Sequence, residues 1–187
     1  RATFTEQAKD GSLFYQEQTI TPVRGEDGSL THFVSTGKDI SDRVRMEREL
    51  KRLATTDPLT NLYNRLRLEQ LLDEEMERVQ RYRRDLALIM FDVDYFKAVN
   101  DRFGHDTGDR ILQGIARLAG EHLRSPDALA RWGGEEFMIL APETGERGAF
   151  DLAERLRAAV AETEFAEVGT VTASFGVTVR RPDDTIK

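Results

Sequence analysis

The spacing of apolar residues changes several times along the chain, and each change predicts a new structural element. Apolar positions three and four apart predict amphipathic helices, whereas compact apolar runs predict buried strands. Helices are predicted after Asn61, around Ile111 with Thr107 as N-cap, and over 149–160. The first of these is marked by Leu68, Leu71, Leu72, Met76, Val79 and Tyr82, and the second by Ile111, Leu112, Ile115, Leu118 and Ala119. Strands are predicted over 86–91, 128–132, 137–141 and 171–179.

The first forty residues follow a different pattern. Runs of β-forming residues over 13–22 and 30–36 are separated by turn sequences around Gly11 and Gly28, which is typical of an antiparallel meander. Forty residues of strand cannot close a hydrophobic core alone. We therefore expect residues 1–40 to be the C-terminal end of a domain that starts upstream.

A charged segment over 41–56 joins these two regions. Ser41 and Asp42 are candidate N-caps, and Val44, Leu50 and Leu53 are predicted to lie along one side of a helix. That thin apolar stripe suits either a helix that pairs with its own copy or a solvated linker helix. The helix is predicted to end before Pro58, because proline disfavours helix in the residue that precedes it.

Residues after this linker predict an α/β sandwich with a mixed central sheet, because helices alternate with strands and a Gly-Gly hairpin joins two of the strands.

The composition of the chain excludes several classes of function. The chain of 187 residues has 34 acidic and 27 basic side chains and a net charge of −7, which disfavours binding to DNA or RNA. It contains no cysteine, which excludes disulfides, and its longest strongly apolar run, 86–91, is too short to cross a membrane.

Two acidic segments are candidates for metal and phosphate chemistry. The buried strand over 86–91 leads into Asp92 and Asp94 at a predicted helix start that also carries Lys97, an arrangement that suits Mg²⁺ and phosphate. The hairpin places Glu135 and Glu136 after two glycines. Carboxylates on neighbouring strand ends are what metal-dependent nucleotidyl transfer requires. Helix capping and surface solubility are the alternative explanations for each segment taken alone.

Two further groups could bind a purine nucleotide. An amide at Asn100 and a carboxylate at Asp109 suit the edge of guanine, although turns and caps use the same residues. Arg124 and Asp127, with Arg131 following, form an RxxD sequence that could hold phosphate or guanine. His105 is interpreted as structural, because no other histidine lies at metal-ligand spacing from it.

Residues 57–179 resemble the GGDEF family of diguanylate cyclases in its GGEEF variant. The markers stand in family order: Asp57-Pro58-Leu59-Thr60 with Asn64-Arg65, Phe91-Asp92-Val93-Asp94-Tyr95-Phe96-Lys97, Asn100-Asp101, Gly108-Asp109, Arg131-Trp132-Gly133-Gly134-Glu135-Glu136-Phe137 and Ser174-Phe175-Gly176. The resemblance implies a palm-like, nucleotide cyclase-like α/β domain that condenses two GTP into cyclic di-GMP and two pyrophosphates. It also implies a Mg²⁺ site, which Mn²⁺ could fill, shared between two protomers.

The family resemblance also implies roles for individual residues. Metal ligation is expected from Asp92, the carbonyl of Val93 and the hairpin acids Glu135 and Glu136, and these two acids are also the catalytic candidates. Glu135 is the position usually assigned as the base. Phosphate binding is expected from Lys97 and the amides of Tyr95 and Phe96, guanine binding from Asn100 and Asp109, and product inhibition from Arg124, Asp127 and Arg131.

Residues 1–40 resemble the closing strands of a PAS sensor domain, which makes 41–56 a helical signalling linker and 57–187 the cyclase domain. We expect the linker to form a homodimer. We also expect the cyclase domain to be truncated at its C-terminus and cytoplasmic, with any membrane anchor upstream. A non-catalytic GGDEF module that binds GTP or cyclic di-GMP as a receptor or dimerisation platform is the alternative. Use of ATP is disfavoured by Asp109, because adenine lacks donors that match a carboxylate.

Overall fold

The computed structural model describes residues 2–180, which form two compact units divided after Arg52. The end of the predicted domain over 57–187 therefore lies outside the described residues. No helix within residues 2–180 is long and apolar enough to span a bilayer. The elements are β1 (Ala2–Gln7), β2 (Leu13–Arg24), β3 (Leu30–Asp39), α1 (Ser41–Thr55), β4 (Tyr63–Asn64), α2 (Arg65–Tyr82), β5 (Leu86–Val93), α3 (Phe96–Phe103), α4 (His105–His122), β6 (Ala128–Gly133), β7 (Glu136–Pro142), α5 (Glu146–Glu162), β8 (Glu164–Phe165), β9 (Gly169–Thr170) and β10 (Ala173–Val179).

The first unit contains a three-stranded antiparallel sheet in the order β1-β2-β3. The meander pattern predicts β2 and β3, whereas β1 was not predicted. The turn before β2 is closed by Asp10, whose carboxylate accepts the Ser12 N–H at 2.9 Å. Ser41 begins α1, but its hydroxyl accepts the N–H of Tyr15 on β2 at 2.9 Å. Its hydroxyl therefore ties the helix start to the sheet instead of capping the helix.

The apolar stripe of α1 differs from the predicted one. At 3.6 residues per turn, Met46, Leu50 and Leu53 fall within about 60° of one another, whereas Val44 lies on another side of the helix. Met46, Leu50 and Leu53 are exposed, and Val44 is half-buried. The inclusion of Val44 in the stripe was wrong, and Met46 takes its place.

The second unit is built on a five-stranded sheet in the order β10-β5-β7-β6-β4. Only the pairing of β4 with β6 is parallel, so the predicted mixed sheet is confirmed. Helix α2 packs on one face, and α4 and α5 pack on the other. The sequence pattern missed β4, β8 and β9, because two residues are too few to show a period.

Successive side chains of β5 lie on opposite faces of the sheet and pack into the two core clusters. Phe91 and Ile89 face α4 and α5, while Leu86 faces α2. The Phe91 ring stacks between two aromatic rings, with centroid distances of 5.0 Å to Phe137 and 4.7 Å to Phe175. This packing fixes the end of β5 from which Asp92 projects.

One predicted helix cap and one predicted core residue were wrong. Thr107 is buried in the first turn of α4 and does not cap it, because the helix already begins at His105 after Gly104, whose φ of 84° breaks the preceding helix. Tyr82 was counted with the apolar face of α2, yet its side chain is exposed at the last residue of that helix.

Candidate active site

Three neighbouring strands place a row of polar side chains on one face of the sheet. Asp92 on β5 is the direct partner of Ser174 on β10 and of Glu136 on β7. Directly opposed residues of antiparallel strands share a face, with Cβ atoms about 5 Å apart. The turn between β6 and β7 adds Glu135 next to this row, at a tip where Gly134 has φ 53°. The hairpin thus delivers its acids to Asp92, as the sequence predicts.

The carboxylates of Asp92, Glu135 and Glu136 accept no hydrogen bond and form no ion pair within residues 2–180. Burial raises the pKa of Asp92 above its usual 3.8, and repulsion from Glu135, Glu136 and Asp94 raises it further. Unpaired carboxylates that repel one another favour a bound cation, because a cation removes the repulsion and fills the empty acceptor sites.

The donor set fits a hard cation such as Mg²⁺. No three Asp, Glu, His or Cys side chains in the described part of the chain are arranged as a complete metal site. Mg²⁺ needs no such cage, because it usually takes one or two carboxylates and fills its remaining positions with water and substrate phosphates. Asp92 and a hairpin glutamate, with the carbonyl of Val93, would meet that requirement.

The start of α3 presents free donors next to the acidic row. Tyr95 adopts the left-handed conformation at φ 57°, and its carbonyl accepts the N–H groups of Ala98 and Val99. The N–H groups of Phe96 and Lys97 precede these and have no intrahelical partner, as at every helix start. The Lys97 side chain is exposed. A helix start with free N–H groups is a typical binding site for phosphates.

Asn100 lies where α3 packs against α4. Its Oδ1 is buried and has no hydrogen-bond partner among the described residues. The fit against α4 is close, since a Cβ on Gly108 would lie 2.0 Å from that oxygen. Asp109 follows on the exposed side of α4. Both side chains offer hydrogen-bond acceptors, the chemistry that the N–H donors of guanine require.

The RxxD residues form a local ion pair before β6. The Asp127 side chain is only 1% exposed and accepts the Arg124 backbone N–H at 2.9 Å and its Nη2 at 3.1 Å. The Arg124 guanidinium also donates to the Thr144 hydroxyl at 2.7 Å and remains 57% exposed. Arg131 is not brought to this pair: it lies towards the other end of β6, at the Gly-Gly hairpin.

Arg131 instead connects the hairpin to the residues that follow α1. Its Nη1 lies 3.3 Å from both carboxylate oxygens of Asp57, and its Nε donates to the Gly134 carbonyl at 2.8 Å. Arg65 stacks over the neighbouring Trp132, 4.5 Å from the ring centroid. None of these contacts is predicted by the sequence patterns. The only available signal was that each residue belongs to a segment already identified by its motif.

Replacing Asp57 by Asn should lower the free energy of unfolding by about 1–3 kcal/mol at pH 7. Burial alone would raise the pKa of Asp57, but the hydrogen bonds from Thr60 and the Arg131 charge outweigh it and lower that pKa below 3.8. A carboxylate with a lowered pKa stabilises the fold above its unfolded pKa, and that stabilisation is lost as the pH falls. Urea unfolding should therefore show the gap between parent and variant closing below about pH 4. A gap of constant size would contradict the ion pair, and the exposed Asp73→Asn serves as control.

Comparisons with known proteins agree with this geometry. A family model described as "Diguanylate cyclase, GGDEF domain" matches residues 54–187. The diguanylate cyclase DgcP of Pseudomonas aeruginosa is 45% identical over 128 residues, which cover 67% of this chain but only 19% of that protein. The chain thus spans about a fifth of the length of this curated relative.

Solved structures show the same architecture. Diguanylate cyclase SiaD of Pseudomonas aeruginosa, crystallised with its activator SiaC, superposes with a TM-score of 0.68 at 45% identity, covering 78% of this chain and 59% of that one. The coiled coil and GGDEF domain of DgcB from Caulobacter crescentus, in complex with c-di-GMP, superposes with a TM-score of 0.72 at 29% identity. That match covers 77% of this chain and 79% of the other.

Proposed function

This chain belongs to the GGDEF family of diguanylate cyclases, and we propose that it condenses two GTP molecules into cyclic di-GMP and two pyrophosphates. The observation that carries this proposal is the row of unpaired carboxylates, Asp92 and Glu136, beside the free N–H groups of α3. A site of this kind is suited to a nucleoside triphosphate and its bound metal ion. Relatives named as diguanylate cyclases support the reaction class.

Each residue has a task in the reaction. A bound Mg²⁺ would polarise the α-phosphate and lower the pKa of the attacking hydroxyl. Glu135 takes the proton from the ribose 3′-hydroxyl of one GTP, whose oxygen attacks the α-phosphorus of the second. The bond to pyrophosphate breaks, and the same step repeats with the roles of the nucleotides exchanged. The Lys97 side chain and the amides at the start of α3, those of Tyr95, Phe96 and Lys97, hold the phosphates, while Asn100 and Asp109 bind guanine.

The preference for guanine over other nucleobases distinguishes this reaction from other nucleotidyl transfers. Inosine triphosphate lacks the guanine amino group, so loss of that donor should lower kcat/KM by about tenfold to a hundredfold relative to GTP. ATP should be used more poorly still. In Asn100→Ala the preference for GTP over inosine triphosphate should shrink. Equal use of ATP and GTP by the parent would contradict the proposal. If GTP binds and is never consumed, the module is a non-catalytic receptor.

Condensation of two GTP requires two sites to meet, and α1 offers a surface for this. Met46, Leu50 and Leu53 form an exposed apolar stripe with the 4-3 spacing of a two-stranded coiled coil. We infer that two copies pair along this stripe. The DgcB structure, described as a coiled coil with a GGDEF domain, supports that arrangement. The sheet of residues 2–39 would then act as the end of a PAS sensor domain that controls the pairing.

Leu50→Glu should weaken dimerisation at least tenfold, because it places a charge in the apolar seam. Sedimentation velocity over a concentration series measures the effect, and cyclase activity should fall in parallel at low protein concentration. Leu66→Glu changes a similarly exposed leucine on α2 and serves as the matched control. An unchanged dimer with unchanged activity in Leu50→Glu would show that the stripe is a solvated surface.

Arg124 and Asp127 are proposed to bind the product as an inhibitor. The exposed guanidinium of Arg124 is held in place by Asp127 and Thr144, so its remaining donors can face a phosphate or a guanine edge. Arg124→Ala should raise the inhibition constant for cyclic di-GMP at least tenfold, measured from initial rates with added product. Arg117→Ala removes an exposed arginine of α4 and should leave that constant unchanged. Undiminished inhibition in Arg124→Ala would exclude this site.

A further inference from the structure

The two aspartates that follow the buried part of β5 differ in their surroundings. Asp92 lies in β5, and Asp94 lies in the turn that follows the last residue of that strand. Asp92 accepts no hydrogen bond within residues 2–180, but both oxygens of Asp94 are occupied. The Thr172 hydroxyl donates to Asp94 Oδ2 at 2.6 Å, and the Ser174 hydroxyl donates to Oδ1 at 2.7 Å. The Asp94 N–H also donates to the Thr172 carbonyl at 2.9 Å. Three hydrogen bonds thus join this residue to the strand region of β10.

These bonds hold a strained turn. Tyr95 is a non-glycine residue in the left-handed region, a conformation that persists only when its surroundings enforce it. On its far side, the buried Phe96 anchors the first turn of α3. On its near side, Asp94 is the anchor. The turn between these anchors sets the position of the Val93 carbonyl and of the free N–H groups at the helix start.

The hydroxyl groups that bind Asp94 are compatible with a cation site nearby. Neutral hydroxyls satisfy the Asp94 carboxylate without cancelling its charge, whereas a lysine or arginine in the same place would compete with a bound cation. The row of negative charge beside Asp92 is therefore kept intact. Because both of its oxygens are already engaged, Asp94 does not need to contact the metal or the nucleotide to contribute.

We propose that Asp94 is a positioning residue, and that Thr172 and Ser174 bind its carboxylate to fix the β5–α3 turn in the geometry that the reaction needs. The expected effect on kcat rests on the proposed cyclase function, whereas the expected effect on the β5–α3 turn does not. It gives Asp94, to which the family resemblance assigns no role, a role distinct from that of Asp92. It also gives a function to two hydroxyl side chains that lie 78 and 80 residues away along the chain.

A double-mutant cycle tests the proposal on the full chain. Asp94→Ala and the pair Thr172→Val with Ser174→Ala should each lower kcat by roughly tenfold to a hundredfold, since small misplacements of reacting groups have effects of that size. Combining all three changes should add little to either loss, because each removes the same contacts. Thr178→Val alters an exposed threonine on β10 and serves as control. Additive losses would overturn the proposal, because Asp94 would then act independently of the two hydroxyls.

Hydrogen exchange in the metal-free, nucleotide-free protein gives a readout independent of catalysis. The hydrogen-bonded amides of this turn, those of Asp94, Ala98 and Val99, should exchange at least tenfold faster in the Thr172→Val, Ser174→Ala variant, while those of β7 and α5 stay protected. Lost activity with unchanged exchange would make Asp94 a direct ligand and overturn the positioning role. Should the parent fail to make cyclic di-GMP, the cyclase proposal fails, yet the exchange result still decides whether the three side chains hold the turn.

Discussion

Asp92→Asn is expected to reduce cyclic di-GMP formation at least about a thousandfold while the chain stays folded. The amide keeps the size of the side chain but removes the charge that a cation needs, at the centre of the row formed by Ser174, Asp92 and Glu136. Product formation is measured with saturating GTP and Mg²⁺. Asp101→Asn, which changes an exposed acid of α3, should retain activity. Retention of more than a tenth of the activity by Asp92→Asn would contradict a metal site at this position.

The same substitution should stabilise the metal-free protein near neutral pH. The pKa of Asp92 is raised by burial and by Glu135, Glu136 and Asp94, so ionisation of this carboxyl is penalised in the folded state. That penalty is absent below the unfolded pKa and grows as the pH rises through the folded one. The Tm of Asp92→Asn should therefore exceed that of the parent at pH 7 and match it near pH 3. A lower Tm at pH 7 would show that the carboxylate is not under repulsion.

Phe91→Ala is expected to lower the free energy of unfolding by about 3–5 kcal/mol. The Phe91 ring is buried between Phe137 and Phe175, so its removal leaves a cavity across three neighbouring strands and loses both ring contacts. Urea unfolding of the two proteins measures the difference. Activity should also fall under native conditions, because the strand that carries Asp92 loses its support.

A matched control separates burial from aromatic content. Phe150 on α5 is 59% exposed, so Phe150→Ala should change the free energy of unfolding by less than about 1 kcal/mol. Equal losses in the two variants would mean that Phe91 does not contribute more than a surface ring to the core.

The positions of the main site residues could be predicted because they follow from local patterns. An apolar run that ends in Asp92 and a Gly-Gly pair before Glu135 both mark strand ends, and the hairpin brings its own two strands together. The strand order β10-β5-β7-β6-β4 could not be obtained in that way. It depends on pairing between distant segments, which leaves no periodic signal in either one.

Contacts between distant segments leave no local signal either. Asp92 and Asp94 are chemically alike, and nothing near them in the sequence shows that the hydroxyls of Thr172 and Ser174 bind Asp94. Arg131 is close to Arg124 in sequence, but its charge is paired with Asp57, 74 residues earlier. Sequence patterns identify which residues are chemically suited to a site. Long-range contacts decide which of them are free to act.

The decisive experiment incubates the full chain with GTP and Mg²⁺ and identifies the products by chromatography with mass detection. The parent should yield cyclic di-GMP and pyrophosphate in a ratio of one to two, and Glu135→Ala, assayed at the same dimer content, should yield neither. GTP recovered unchanged from folded, dimeric parent protein would contradict the proposed cyclase activity.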